Sequence, residues 1–431
     1  MSKKTLVMKF GGTSVASKDA ILNVVKIISN HKDDKLCIVV SALGATPQHG
    51  KVTDELIELK TSNKKEKILC RLRKRHIDLI NECIQSKRYR KEAKKDIEHI
   101  ILEIEKHLND PKYPLECFGE RMSVQIMYYL LCDQKLDISY VDAGNIIHFI
   151  NTNPHFQKIT ESSELIKKTI KSGRIAVTEG FIANENGKIT CMIRGGSDQT
   201  ATLIGEAIGA DEIIIYSDQN GILTADPRIV KNARTVDEIS YSEAEEMAGH
   251  GAKIIYPKIL DPLKTSNIPV IIKNTFNPAH KGTRIVPLAK TKGIKCITMI
   301  NQTHTSIHNP AMIGTEGFLA KVFASIKNDV DIVMSGNPII GYTTTNIRDT
   351  KDNLQEFGEI RQLKVHTIAI VGEEVEDNPK VMNRISKCLV DKNIEIEFIS
   401  HDRQSAAIYF GIKENDRTYA LLNMLHKELI E

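Results

Sequence analysis

Residues 5–14 read Thr5-Leu6-Val7-Met8-Lys9-Phe10-Gly11-Gly12-Thr13-Ser14: an apolar run, a lysine, two glycines, two hydroxyls. The run reads as a buried strand, and the stretch AILNVVKIISN that follows shows helical spacing. The glycines therefore fall at a strand-to-helix turn. Paired glycines let backbone approach a ligand closely, and a helix start presents free N–H groups, which suits a phosphate. A lysine at the strand end can place a charge on a transferring phosphoryl group. The P-loop pattern G-x-x-x-x-G-K-[ST] is absent. Alone, Gly11-Gly12 would more often be a tight turn.

Further polar sites lie along the chain. Arg194-Gly195-Gly196-Ser197-Asp198 precedes another helical pattern. Arginine can grip a carboxylate through two parallel hydrogen bonds, while the plainer reading is a helix capped by Ser197 or Asp198. Ser217-Asp218 and Asp226-Pro227-Arg228 follow the strand-like EIIIY and can hold a nucleotide or form an unliganded turn. Lys253, in Gly251-Ala252-Lys253, and Glu120, in FGERMS, are further candidates.

The surrounding pattern is α/β. TLVMKF, LCIVVSA, IAVTEGF, EIIIYSD and VIIKNT read as strands; AILNVVKIISN, SVQIMYYLL and QTATLIGEAIG read as helices. This alternation implies a largely parallel open sheet flanked by helices, with ligands where the strands end. After Pro287, the polar PLAKTKGIK reads as a linker. Beyond it, strand, helix and strand occur twice: GIKCITMI, GFLAKVFASIKND and VDIVMS, then LKVHTIAIVG, NPKVMNRISKCLVDKN and IEIEFIS. The expected division is a catalytic domain over 1–287 and two small α+β modules over 294–363 and 364–431, with strands exchanged between the modules.

Composition narrows the classes. A chain of 431 residues exceeds one compact core. No apolar run approaches a membrane span, and MSKKTLVMKF is too short and too interrupted for a signal peptide, so a cytoplasmic protein is expected. The eight cysteines form no C-x-x-C pair and are read as reduced, mostly buried thiols. The segment from Lys64 to Lys95 is dense in lysine and arginine. Ile68, Leu72, Leu79, Ile80 and Ile84, then Ile97, Ile101, Ile104 and Leu108, recur near helical spacing there. Two amphipathic helices with a solvated basic face account for this better than nucleic-acid binding, which would want more aromatics than Tyr89.

KFGGTS, GFI at Gly180–Ile182, RGGSD, the SD…G…ADPR segment and GAK, in this order, resemble the amino acid kinase family and, within it, the aspartokinases. The resemblance covers essentially the whole chain, and the tail resembles paired ACT modules. It implies ATP-dependent phosphorylation of the side-chain carboxylate of L-aspartate, the first step toward the aspartate-family amino acids, with Mg²⁺ on the nucleotide and a homo-oligomer formed through the ACT-like modules. By position, Lys9 and the backbone of Gly11 and Gly12 match the phosphate cradle. Ser41 and Thr53 match substrate-pocket hydroxyls, Glu120 the acid that receives the substrate ammonium, and Arg194 the clamp on its carboxylate. Asp198 matches the acid that orients the lysine; Ser217, Asp218, Arg228 and Lys253 match ATP contacts. Leu223 stands where the family often has tyrosine.

Two readings from the residues compete with this one. Another kinase of the same fold would act on glutamate, acetylglutamate, carbamate or a nucleotide. A ligand-sensing regulator would have lost its kinase site, against which Lys9, Arg194 and Asp198 argue. The regulatory tail also departs from its relatives. Gly317-Phe318-Leu319 matches the helix start at which lysine-inhibited aspartokinases bind effector, but the facing strand end is Ser335-Gly336-Asn337-Pro338 where relatives carry hydroxyls and an acid. The matching turn of the second module reads Ser400-His401-Asp402-Arg403. Weak or absent feedback inhibition by lysine or threonine is expected.

Overall fold

The computed structural model describes residues 3–153, 156–161, 164–192, 195–249, 259–336, 338–345, 354–375, 378–402, 405–415 and 417–431. Two compact units divide the chain: Met1–Ile222 with Lys258–Leu288, and Leu223–Pro257 with Ala289–Glu431.

The first unit begins with β1 (Thr5–Phe10), α1 (Lys18–Asn30) and β2 (Lys35–Val40). Then come α2 (Val52–Thr61), α3 (Lys65–Cys83), α4 (Lys87–His107), α5 (Phe118–Asp133) and β3 (Ile138–Tyr140). β4 (Ile147–Asn153), β5 (Phe156–Glu161), α6 (Glu164–Lys171), β6 (Ile175–Glu179), β7 (Ile182–Glu185) and β8 (Lys188–Cys191) follow. α7 (Gly196–Ile208) and β9 (Glu212–Ser217) precede β10 (Glu238–Ser240) and α8 (Tyr241–Gly249), which fall in the second unit. β11 (Val270–Asn274) and β12 (Thr283–Val286) return to the first.

Its main sheet has the order β12-β11-β9-β1-β2-β6-β3. β1 lies between β2 and β9 and is parallel to both; β2–β6, β3–β6 and β9–β11 are also parallel, and only β12 runs antiparallel to its neighbour β11. Strands covered on both faces read as continuous apolar runs, and β1, β2 and β6 are almost wholly buried. The register places Lys9 opposite Val39 and Ile215, and Val40 opposite Glu179. The carboxyl ends of β1, β2, β6 and β9 therefore share one edge, where the candidate residues gather.

The helices follow the expected stripes. Ser17 caps α1, its hydroxyl accepting from the Ala20 N–H at 3.4 Å, and the helix buries Ile21, Val24, Val25 and Ile28. Each such aliphatic side chain contributes about 1.5–3 kcal/mol on burial. α3 and α4 form the two amphipathic helices of the basic segment, with one correction. Arg75 and His76 are not on a solvated face; they lie buried among Leu72, Leu79 and Ile80.

The cysteines need a second correction. Cys117 and Cys191 form a disulfide, Cα to Cα 6.0 Å, rather than two reduced thiols. They are 74 residues apart, so no local spacing announces the pair; the fold sets the residue before α5 beside the end of β8.

The second unit carries β13 (Gly293–His308), α9 (Phe318–Ser325), β14 (Ile332–Gly336) and β15 (Ile339–Thr344). β16 (Glu359–Glu373), α10 (Pro379–Asp391), β17 (Ile396–His401), β18 (Ala407–Lys413) and α11 (Arg417–Leu429) complete it. Strand, helix and strand do occur twice. All six strands form one antiparallel sheet, ordered β14-β15-β13-β16-β18-β17, in which β13 and β16 pair along almost their full lengths.

Candidate active site

At the end of β1, the Lys9 ammonium lies 2.6 Å from the Asp198 carboxylate, and both side chains are largely shielded from water. Asp198 is in the first turn of α7. That helix is not capped by Ser197 or Asp198: its N-cap is Gly195, in the left-handed region at φ 82°, with no side-chain cap. This conformation suits glycine and leaves Asp198 free to face Lys9.

The glycine turn folds tightly against the β2 loop. Gly11 N–H donates to Tyr216 O at 3.1 Å, Ser41 N–H to Phe10 O at 3.1 Å, and Gly44 N–H to Gly12 O at 2.9 Å. A Cβ on Gly12 would come within 3.0 Å of Ala42 O and 3.1 Å of Gly44, so the two backbones touch as only glycine permits. Ser41 is buried at this junction. Thr53, half-buried, lies in the first turn of α2, and the preceding Val52 N–H donates to Leu43 O at 3.1 Å.

Glu120 enters from the first turn of α5 and is 5 % exposed. Burial pushes its carboxyl up to about 8; the Ala42 N–H, its own N–H and the Lys9 charge oppose the rise, while Glu179 adds to it. One carboxyl oxygen, Oε2, has no hydrogen-bond partner in the protein. A buried, unsatisfied acid facing an ammonium-bearing lysine is what a pocket for a second cation requires.

Glu179 closes β6, close enough to Glu120 for its charge to act on it. It is fully buried and accepts from Tyr140 Oη and, at 3.0 Å, from Ala143 N–H. Burial raises its pKa, with Asp142 adding to the effect. Sequence reasoning passed over it, although it immediately precedes the GFI stretch. There Phe181 has φ 67° and donates its N–H to Thr200 Oγ1 of α7 at 3.1 Å.

Ser217 ends β9 on the same edge, its hydroxyl accepting from Gln219 N–H at 3.2 Å; Asp218 follows, exposed. Asn274, at the end of β11, donates to Asp218 O at 3.3 Å. Lys9, Gly11, Gly12, Ser41, Glu120 and Asp198 are thus brought together, with Ser217 and Asp218 at the end of the neighbouring strand β9 on the same edge. Arg228 belongs to the second unit, where its exposed guanidinium pairs with Asp226 of its own loop at 2.6 Å. Arg194 and Lys253 lie outside the described residues.

In the second unit, a cavity of about 360 Å³ is lined by Met312, Thr315, Gly317, Phe318, Leu319, Ser335 and Gly336. It joins the helix start and the strand end singled out from the sequence; Asn337 lies outside the described residues.

Aspartokinase 1, chloroplastic, of Arabidopsis thaliana is 29% identical, the match covering 99% of this chain and 80% of that protein. Lysine-sensitive aspartokinase 3 of Escherichia coli is 28% identical over 99% of each. Among solved structures, E. coli aspartokinase III in complex with aspartate and ADP superposes with a TM-score of 0.82 at 24% identity, over 99% of this chain and 100% of that one. A profile of the ACT domain matches residues 368–429. The profile of the amino acid kinase family matches residues 4–274, through the strand ends that carry Lys9, Ser41, Glu179 and Ser217, and the chain belongs to that family.

Proposed function

We propose that the protein transfers the γ-phosphoryl group of ATP to the side-chain carboxylate of L-aspartate, giving 4-phospho-L-aspartate and ADP. The observation that carries this is the Lys9–Asp198 pair at the end of β1, set between the Gly11-Gly12 turn and the buried, incompletely paired Glu120. The aspartokinases named above match the full chain, and one was solved with aspartate and ADP.

The attacking carboxylate has a pKa of about 4 and is ionised at neutral pH, so no general base is needed. The difficulty is to bring an anion to a polyanion and to stabilise charge as the phosphoryl group moves in line. Lys9, held by Asp198, supplies a fixed cation where that charge develops. The backbone of the Gly11-Gly12 turn borders the same place, although the Gly11 N–H itself donates to Tyr216 O. Glu120 receives the aspartate ammonium, Arg194 grips its α-carboxylate, and Ser41 and Thr53 supply hydroxyls. Ser217 and Asp218 are assigned to the nucleotide by position at the end of β9. The assignments of Arg228 and Lys253 to ATP rest on the family match alone. Mg²⁺ enters with ATP, bound to its phosphates.

The division into a catalytic domain over 1–287 and ACT-like modules over 294–363 and 364–431 belongs to the same proposal, as does a homodimer or higher homo-oligomer through those modules. The outer strands β14 and β17 carry exposed Val333, Ile396 and Ile399, which suits self-association. Among the described residues, no helix is long and apolar enough to cross a membrane, which fits the proposed cytoplasmic location.

ADP release measured with L-aspartate, L-glutamate, N-acetylglutamate, carbamate and UMP tests the substrate. Turnover with aspartate alone is expected. Preference for any of the others by tenfold or more in kcat/KM would replace the proposal with a different kinase of the family.

A further inference from the structure

Arg75 is 5 % exposed and sits in the middle of α3. Its guanidinium donates to three backbone carbonyls from separate segments. Nη1 reaches Gly50 O at 2.7 Å; Nη2 reaches Gly44 O at 2.5 Å and Ala16 O at 3.4 Å. Ala16 ends the short 3-10 turn that begins at Gly12. Gly44 is the residue whose N–H holds Gly12 O. Gly50 immediately precedes Lys51, the N-cap of α2, whose first turn bears Thr53.

One side chain thus ties the phosphate-cradle turn to both ends of the loop between Ser41 and Thr53. Nearby, Glu55 is buried and pairs with Arg71 at 3.1 Å, so a second cation on α3 compensates it. The contacts are shared between two nitrogens of a rigid planar fork; an ammonium, with its three donors on one nitrogen, cannot stand at both positions.

We propose that Arg75 is a positioning residue for phosphoryl transfer, fixing the distance between the turn that holds the phosphates and the loop that holds the attacking substrate. The inference rests on the kinase reading above, and wild-type turnover in the same assay tests that reading separately. Each loop retains its own ligand contacts without Arg75, so binding of either substrate is largely preserved. What suffers is their mutual placement, to which in-line transfer is sensitive.

The test is steady-state kinetics of the full chain carrying Arg75→Met or Arg75→Lys, with thermal unfolding followed in parallel. At temperatures well below unfolding, kcat should fall by about 10- to 100-fold in both variants, while KM for aspartate and for Mg-ATP stay within about threefold. Lys74→Met, exposed on the same helix, should leave kcat within about twofold. Arg75→Lys keeps the buried cation and decides the matter should Arg75→Met fail to fold. A lower unfolding temperature with wild-type kcat in Arg75→Lys would show that Arg75 only stabilises the fold. A large rise in either KM at unchanged kcat would place it in binding instead. Either result overturns the inference.

Discussion

On the proposed mechanism, Lys9 and Glu120 divide the electrostatic work of the site. Lys9 is held by Asp198 and is assigned to the developing charge, so its removal should be felt more in the transition state than in the ground state. Lys9→Ala is expected to lower kcat by about 10²–10³-fold, with a much smaller change in the aspartate KM; an effect confined to KM would make Lys9 a binding residue. Glu120 gives a pH signature. Its pKa, about 8 without ligand, leaves the carboxyl mainly protonated at pH 7, whereas an ammonium needs the carboxylate. Aspartate binding therefore releases a proton below pH 8. The aspartate KM should fall by up to about tenfold per unit as pH rises toward 8, then level off. Glu120→Gln should weaken binding and flatten this profile; a wild-type KM constant from pH 6 to 8 would contradict the assignment. Lys9, Glu120 and Asp198 were legible because motifs carry them. Arg75 was hidden inside a basic run, although Leu72, Arg75, His76, Leu79 and Ile80 all fall on one helical stripe. Following that stripe through the charged letters would have found it. Glu179 had no such signal, since its burial depends on Tyr140 and Ala143 from a different strand and turn.

Element by element, the sequence pattern led to the strand ends and helices that build the site, and it missed what packing decides. β1, the strand expected from TLVMKF, spans Thr5–Phe10 as anticipated. Of the two readings left open at the start of α7, the capping one fails: the glycine before Ser197 and Asp198 takes the cap and Asp198 turns to Lys9. The Cys117–Cys191 disulfide joins segments distant in sequence, beyond the reach of any spacing rule. The cavity between the start of α9 and the end of β14 was indicated by Gly317-Phe318-Leu319 and Ser335-Gly336, which line it. Among the described residues that line it, none is acidic. An amino-acid effector with two ammonium groups would lose an ion-pair partner there, at a substantial cost in affinity. Lysine at 1 mM, alone or with threonine, is therefore expected to leave at least about 80% of activity. Half-inhibition by sub-millimolar lysine would show that the changed strand end does not weaken the pocket.

Across the whole molecule, alternating strands and helices followed by a repeated strand-helix-strand pattern pointed to a largely parallel α/β part and an α+β tail; that the tail's strands join in one antiparallel sheet is seen only in the structure. Each strand's apolar length and each helix's stripe pointed to the same architecture. The grouping of Leu223–Pro257 with the C-terminal unit was not legible, because that segment lies between strands of the first unit in sequence and its own letters are those of an ordinary loop and helix. Its association depends on partners far along the chain: Thr224 Oγ1 meets His426 Nε2 at 2.8 Å, and Glu243 accepts from Glu373 N–H at 2.9 Å. In the proposed reaction a carboxylate, not a hydroxyl or an amine, receives the phosphoryl group. An acyl phosphate is trapped by hydroxylamine, whereas a phosphate ester is not. Incubating the full chain with saturating Mg-ATP, L-aspartate and hydroxylamine should yield aspartyl hydroxamate in proportion to ADP released. ADP release without hydroxamate, or neither product under those conditions, would contradict it.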